Sequence, residues 1–199
     1  MNNIDFDLPP PARLAIAYAP SDVRDRFSLL LQFDVRIADV VGKATEPLIG
    51  QMKLAWWRDV IGMTSNRRPS GEPLVAQMNL LADADLEHAM LQLLAAWEGV
   101  LVEDEWDDVT LKAFASERGR AIFSTYAKWI GVDIDLKNLA SDWAMDDLQA
   151  RFGPRVGTGL ELASSPIPKV RLLRPLTILA LSVRDISGPK LLWHALTGR

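Results

Sequence analysis

Apolar residues recur at helical spacing along almost the whole chain, and this periodicity restricts its fold more than any other feature. In residues 21–42, for example, Phe27, Leu30, Ile37 and Val41 recur three, four or seven positions apart, as they do on one face of an α-helix. No convincing run alternates apolar and polar residues, which is the pattern of a half-buried strand. The sequence therefore predicts an all-α protein.

Turn residues and helix start signals divide this pattern into separate helices. After the helix at 21–42, we expect helices over residues 46–62, 72–81, 84–101, 109–130, 136–152, 167–186 and 189–196. Residues 1–20 contain a proline triplet and end in Pro20, so they predict an irregular lead with one short turn of helix. The predicted architecture is a single-domain bundle of about eight helices over residues 21–199.

Composition excludes several classes of function. The chain has 199 residues, a net charge of −4 and no block rich in Lys and Arg, so nucleic acid is not an expected partner. It has no cysteine, which excludes disulfides, thiolate metal sites and a cysteine nucleophile. The N-terminus lacks the pattern of a signal peptide, and the longest uncharged apolar segment, residues 175–183, is too short to span a bilayer. We expect a cytoplasmic protein, with room for peripheral membrane association.

The segment EPLIGQMKLAWWRDVIG, residues 46–62, is unusual for its two adjacent tryptophans. At 100° per residue its large apolar side chains occupy an arc of about 180°, which predicts one face directed to the core. That face comprises Leu48, Ile49, Met52, Trp56, Trp57 and Val60. Lys53 falls inside the arc. This position is compatible with two roles. The lysine stem could cover an indole ring, which is the role that geometry alone favours, or the ammonium group could point into a cavity that binds an anionic ligand.

Two pairs of aspartates have the spacing that places them on one side of a helix. Asp104 and Asp108 form one pair, and Asp142 and Asp146 form the other. Such pairs can hold Mg²⁺ together with phosphates, but the sequence favours helix capping for the first pair and solvated helix charges for the second. The sequence leaves open whether the two pairs converge on one site. The two histidines are far apart and predict no metal site.

The segment from Arg26 to Gly62 resembles the squalene/phytoene synthase family. It carries the signature P-x-x-G-x-x-[RK]-L-x-W-W-R-D of that family, here Pro47, Gly50, Lys53, Leu54, Trp56, Trp57, Arg58 and Asp59. Weaker similarity follows in FASERGRAIFSTYAKWIG (residues 114–131) and in the closing LLWHALTGR, which is similar to a short bacterial branch of the superfamily. The resemblance implies an isoprenoid synthase fold, here truncated, with an apolar cavity walled by Trp56, Trp57 and Lys53.

Active members of this family condense two prenyl diphosphates and use two aspartate-rich motifs to hold Mg²⁺. The position of the first motif is occupied by ADVVG (residues 38–42), where only Asp39 is acidic, and the nearby basic residue is Arg36. The second falls on DLQAR, where Asp147 is present but Arg151 replaces an acid. The resemblance therefore implies substrate binding by Lys53, Trp56, Trp57 and Arg36, with Asp39 and Asp147 as the remaining metal ligands.

Two functions follow from this resemblance and stay open at this point. The leading one is a pseudoenzyme, without prenyl condensation activity and without a required cofactor, that binds an isoprenoid or lipid or assists assembly of a membrane enzyme. Superfamily members that act in assembly of respiratory complex I are similarly degenerate at their aspartates. The alternative is an active prenyl transferase of isoprenoid biosynthesis that uses Mg²⁺ and farnesyl or geranylgeranyl diphosphate.

Overall fold

The computed structural model describes residues 8–81, 83–101, 106–153, 156, 165–184 and 188–197. All regular structure in these residues is helical, which confirms the all-α prediction. The helices are α1 (Pro10–Tyr18), α2 (Ser21–Gly42), α3 (Pro47–Gly62), α4 (Pro73–Leu81), α5 (Ala84–Leu101), α6 (Asp108–Trp129), α7 (Lys137–Phe152), α8 (Arg174–Ser182) and α9 (Gly188–Thr197). Short 3₁₀ turns form at Ser65–Arg67 and Arg171–Leu173.

Most predicted helix bounds agree with the structure to within one residue, but two expectations were wrong. Part of the expected irregular lead forms α1, which starts at the proline triplet, because proline is well tolerated in the first turn of a helix. The helix expected over 167–186 is much shorter, since α8 begins only at Arg174 after an extended approach and a 3₁₀ turn. The described residues thus form nine α-helices rather than about eight.

The helices α5, α6 and α7 pack in succession, and α2 lies against α5 and also contacts α1, α3, α4 and α6. Helices α6 and α7 come very close together at Gly119 of α6. A Cβ atom at this position would lie 2.5 Å from the carbonyl group of Ala140 in α7, so only glycine permits this contact. Since α2, α5, α6 and α7 meet here, side chains from distant parts of the sequence become neighbours.

A second group of contacts connects α1, α8 and α9. Helix α1 packs on α8, and α8 packs on both α7 and α9. The apolar side chains of α8 are almost all buried, whereas α9 buries only a narrow face. None of the described helices combines the length and apolarity that crossing a bilayer requires.

Candidate functional site

A groove of about 680 Å³ lies between α2 and α3, where five of the six predicted site residues meet. Its lining consists of Arg36, Asp39, Val40 and Lys43 from α2 and Ile49, Met52, Lys53, Trp56 and Trp57 from α3. The two helices are joined by a short connection, so the antiparallel return of the chain brings the signature tryptophans beside the position of the first aspartate motif. Five of the predicted residues therefore line one groove, and their role in binding stays a prediction.

The two adjacent tryptophans have different environments. Trp57 is 3% exposed and packs edge-on against Phe33 of α2, with 5.2 Å between ring centroids. Trp56 is 41% exposed and contacts the Trp57 ring edge-on at 5.0 Å. Neighbouring helix positions differ by 100°, so one indole can enter the core while the other forms the groove wall. The exposed ring of Trp56 thus packs on the buried ring of Trp57, which in turn packs on Phe33.

The predicted inward face of α3 is correct only in part. Its buried residues include Leu54, Trp57, Val60 and Ile61, which pack against the bundle. The rest of the apolar arc points to solvent or to the groove, and it consists of Leu48, Ile49, Met52 and Trp56, between 41% and 66% exposed. The prediction that this whole arc faces the core was wrong, because the direction of burial depends on where α5 and α2 pack. The groove consequently has an apolar floor that is open to solvent.

The charged side chains around this apolar floor differ in whether they have an ion-pair partner. Arg36 donates from Nη2 to both carboxylate oxygens of Glu72, at 3.0 and 2.8 Å. Lys43 donates to Asp39 across one turn of α2, with Nζ 2.6 Å from Oδ2. Within the described part of the chain, Lys53 makes no hydrogen bond or ion pair. The groove therefore presents Lys53 as a cation whose charge is not matched by a neighbouring carboxylate.

Asp147, the sixth predicted residue, belongs to a different cluster in the centre of the bundle. Its Oδ2 accepts hydrogen bonds from Arg118 at 2.6 Å and from Arg151 at 2.8 Å. The same Arg118 binds both carboxylate oxygens of Asp34, with Nη2–Oδ2 at 2.6 Å and Nε–Oδ1 at 3.0 Å. The Nε1 of Trp97 donates to Asp34 Oδ1 at 2.9 Å. We call these five residues the Arg118 cluster; they join α2, α5, α6 and α7.

Aromatic rings enclose the guanidinium of Arg118, which is completely buried. Its Cζ lies 4.4 Å from the ring centroid of Trp143, 5.2 Å from that of Trp97 and 5.7 Å from that of Phe114. Burial alone would lower the pKa of Arg118, but the charges of Asp34 and Asp147 outweigh it and raise the pKa above its ordinary value. Arg118 is therefore a permanent cation inside the core.

The pKa of Asp147 responds to the same contacts. Burial would raise it, but the charges of Arg118 and Arg151 lower it below the ordinary value of an aspartate. Asp147 therefore stays ionised and matched by two guanidinium groups. A carboxylate already held in this way has little remaining capacity to bind another cation.

The donor set for Mg²⁺ does not fit the family pattern. Asp34 and Asp39 are five residues apart on α2, which turns their side chains about 140° away from each other. Asp39 is the only carboxylate in the groove lining and is paired with Lys43, while Asp147 is paired with Arg118 and Arg151. No group of three metal-binding side chains occurs in the described residues. Asp39 and Asp147 as metal ligands stay a prediction.

The pair Asp142 and Asp146 is described, whereas Asp104 lies outside the described residues. Asp142 Oδ2 accepts from the backbone N–H of Ser165 at 2.9 Å and from Arg184 Nη2 at 3.4 Å. Burial and the nearby charge of Asp142 raise the pKa of Asp146 to about 6, although Arg184 opposes this. This pair connects α7 to the segment before and after α8 and lies apart from the groove lining.

Sequence reasoning missed the Arg118 cluster, although a signal was present. Arg118 follows Leu111, Phe114 and Ala115 at helical spacing and precedes Ile122, so it falls on the buried face of α6. Asp34 occupies a comparable position between Leu30 and Ile37 on α2. Charged residues at two core positions are typical of a buried ion pair, since an unpaired buried charge is strongly unfavourable. The periodicity could have identified both residues, but not that they pair with each other.

Comparison with known proteins supports the family assignment. Residues 12–103 match the family model described as squalene/phytoene synthase, and this range contains α2, α3 and the whole groove lining. The resemblance inferred from the tryptophan signature is confirmed over this part of the chain. The searches of curated proteins and of solved structures found no match.

Proposed function

Since residues 12–103 match the squalene/phytoene synthase family model, we propose that the protein binds an isoprenoid with an anionic head group without condensing it. Members of this family generally bind prenyl diphosphates. In our proposal the isoprenoid chain lies on the floor formed by Met52, Trp56 and Trp57, and Lys53 binds the anionic head. A role of this complex in assembly of a membrane enzyme stays a prediction from the resemblance.

The observation that carries the proposal is an open apolar groove with an unmatched lysine at its edge. The lining contains three basic side chains and one acidic one, Asp39. Two of the basic groups, Arg36 and Lys43, are held by carboxylates, which leaves Lys53 available to a ligand. An apolar surface with a cation beside it is complementary to a molecule with a hydrocarbon chain and a negative head.

The absence of condensation is inferred from charge. Ionisation of a prenyl diphosphate requires that the leaving diphosphate be neutralised, and carboxylate-bound Mg²⁺ is the usual means. The groove offers only Asp39 for this purpose, and Lys43 already binds it. Asp34 and Asp147 line a separate pocket of about 130 Å³, but both are already bound to Arg118. We therefore expect the groove to bind an isoprenoid in the presence or absence of Mg²⁺.

Thermal unfolding with farnesyl and geranylgeranyl diphosphate tests the proposal. At a concentration 100 times the Kd, binding stabilises the folded state by about 2.7 kcal/mol, which raises the Tm of a domain of this size by about 5–10 °C. We expect the same increase with EDTA and with Mg²⁺. Lys53→Gln should weaken binding by about tenfold to a hundredfold, because a hydrogen bond to a charged group is lost.

Matched controls separate ligand binding from general effects. Lys137→Gln removes an exposed lysine from α7, outside the groove, and should leave affinity unchanged. Equal binding by wild type and Lys53→Gln would contradict the assigned position of the head group. Release of pyrophosphate that requires Mg²⁺ and disappears in Asp39→Ala would contradict the proposal as a whole and identify a prenyl transferase.

A further inference from the structure

Helix α9 exposes its largest apolar side chains to solvent. Leu192, Trp193 and Leu196 are 49%, 62% and 61% exposed, whereas Leu191 and Ala195 are buried against the bundle. The His194 ring is also on the inner side, with Nε2 2.8 Å from Thr177 Oγ1 of α8. The helix is therefore attached by one face and leaves an apolar stripe without a partner among the described residues.

Basic residues outnumber acidic ones around this stripe, in a chain whose net charge is −4. The sequence of residues 165–197 contains one acidic residue, Asp185, and five basic ones, Lys169, Arg171, Arg174, Arg184 and Lys190. Of these, Arg184 is paired with Asp142. Lys169, Arg171 and Arg174 line a small pocket of about 90 Å³, which His194 and Thr197 of α9 complete. The positive charge is therefore concentrated at this end of the molecule.

Helical geometry places the apolar stripe next to this charge. At 100° per residue, Leu196 and Leu192 lie about 60° and 100° from Trp193 on one side, and Lys190 lies about 60° away on the other. Thr197, which lines the basic pocket, is on the same side as Lys190. The outer face of α9 thus runs from leucine through tryptophan to lysine and on to the arginines of the pocket.

We propose that this surface binds the interface of an anionic lipid bilayer, with Trp193 and the two leucines inserted among the lipids and the basic residues on the head groups. Exposed aromatic and aliphatic side chains with Lys and Arg at the edge are the arrangement by which amphipathic helices bind membrane surfaces. Basic groups are attracted to anionic lipid within a Debye length. The inference uses no residue of the α2–α3 groove and does not depend on the proposed function.

Vesicle flotation tests this inference with the full chain and no isoprenoid. We expect binding to vesicles of phosphatidylcholine with phosphatidylglycerol, weak binding to phosphatidylcholine alone, and a decrease with added salt. The triple variant Lys169→Gln, Arg171→Gln, Lys190→Gln should lower the partition constant by about 100-fold, at about fivefold for each charge. Leu192→Gln with Leu196→Gln should lower it by about tenfold or more, because the inserted apolar area is lost.

Control variants alter similar exposed residues elsewhere. Arg67→Gln, Lys112→Gln and Arg120→Gln remove three exposed charges from other elements, and Leu80→Gln alters a leucine that is 84% exposed on α4. These variants should bind vesicles at least half as well as wild type. Since all the altered side chains are exposed or at the edge of the fold, the far-UV circular dichroism and the Tm should be unchanged in both sets.

Lipids brominated on their acyl chains locate the insertion. Quenching of tryptophan fluorescence should be lost in Trp193→Phe and retained in Trp56→Phe. Binding that is equal with neutral and anionic vesicles, or equal losses in the control and test variants, would overturn the inference. Quenching that requires Trp56 would overturn it in favour of the exposed face of α3. Failure to bind either kind of vesicle would also overturn it and would favour a protein partner for this surface.

Discussion

The α2–α3 groove and the Arg118 cluster contain the same kinds of side chain but differ in solvent access and charge matching. In the cluster, the guanidinium of Arg118 lies between Asp34 and Asp147 and is surrounded by aromatic rings. In the groove, Lys53 lies beside Trp56 and Trp57 on an open surface. Both regions thus combine a cation with tryptophans, but the groove is the larger space, about 680 Å³ against about 130 Å³ for the pocket lined by Asp34 and Asp147.

This difference shows how to distinguish structural from ligand-binding charges in the chain. A buried charge without partners is very unfavourable, so a buried Arg118 requires both carboxylates. An exposed lysine has no such requirement, because water solvates it. Asp147 is therefore held by two guanidinium groups, whereas Lys53 is the groove cation that our proposal assigns to an anion.

The largest effect is expected from removing the internal cation. Arg118→Met leaves Asp34 without a counter-charge and Asp147 with Arg151 alone, and should lower the free energy of unfolding by about 3–5 kcal/mol. Denaturant unfolding measures this change. The control is Arg120→Met, two residues along α6 and exposed, which should change the stability by less than about 0.5 kcal/mol. Similar values for the two variants would show that the cluster is not a structural ion network.

The two tryptophans of the groove should separate stability from binding. Trp57→Ala should lower the free energy of unfolding by about 3–5 kcal/mol, because a buried indole is lost and a cavity remains beside Phe33. Trp56→Ala should cost about 1 kcal/mol or less, since this ring is 41% exposed. Isoprenoid affinity of the folded protein should nevertheless fall in Trp56→Ala. Unchanged affinity there would remove Trp56 from the ligand-binding surface.

The smallest change in stability is expected at Asp146, because Arg184 only partly offsets the unfavourable burial of its carboxylate and the charge of Asp142. Burial and Asp142 raise its pKa from 3.8 to about 6. The folded state therefore binds this proton more tightly than the unfolded state, and stability falls as pH rises from about 4 to 6. Asp146→Asn removes this loss and should be more stable than wild type at pH 7, by about 1 kcal/mol after solvent screening.

The pH dependence supplies the control for this last prediction. The difference between Asp146→Asn and wild type should disappear near pH 4, where the aspartate is protonated in the folded state. Asp133→Asn, an exposed change in the connection before α7, should follow wild type at every pH. A stability difference that is the same at pH 4 and pH 7 would show that packing rather than ionisation is responsible.

The helices themselves follow from local information. The bounds of α2 and α5 agree with the apolar periodicity and the flanking turn residues, because both signals act within a few turns of the same segment. The signature around Trp56 and Trp57 was sufficient to predict the family whose model matches residues 12–103. Local signals were less informative where prolines cluster, at α1, and where an apolar run such as residues 167–186 is only partly helical.

What the sequence determined by itself is the all-α class, the family and the meeting of α2 and α3, since a short connection brings these two helices together. Only the tertiary structure decided which side of α3 is buried and which carboxylates are neutralised. Asp34 and Arg118 are 84 residues apart, and the contact between them depends on how α2, α5, α6 and α7 pack. Periodicity describes one helix at a time, whereas the matching of buried charges depends on the neighbouring helices.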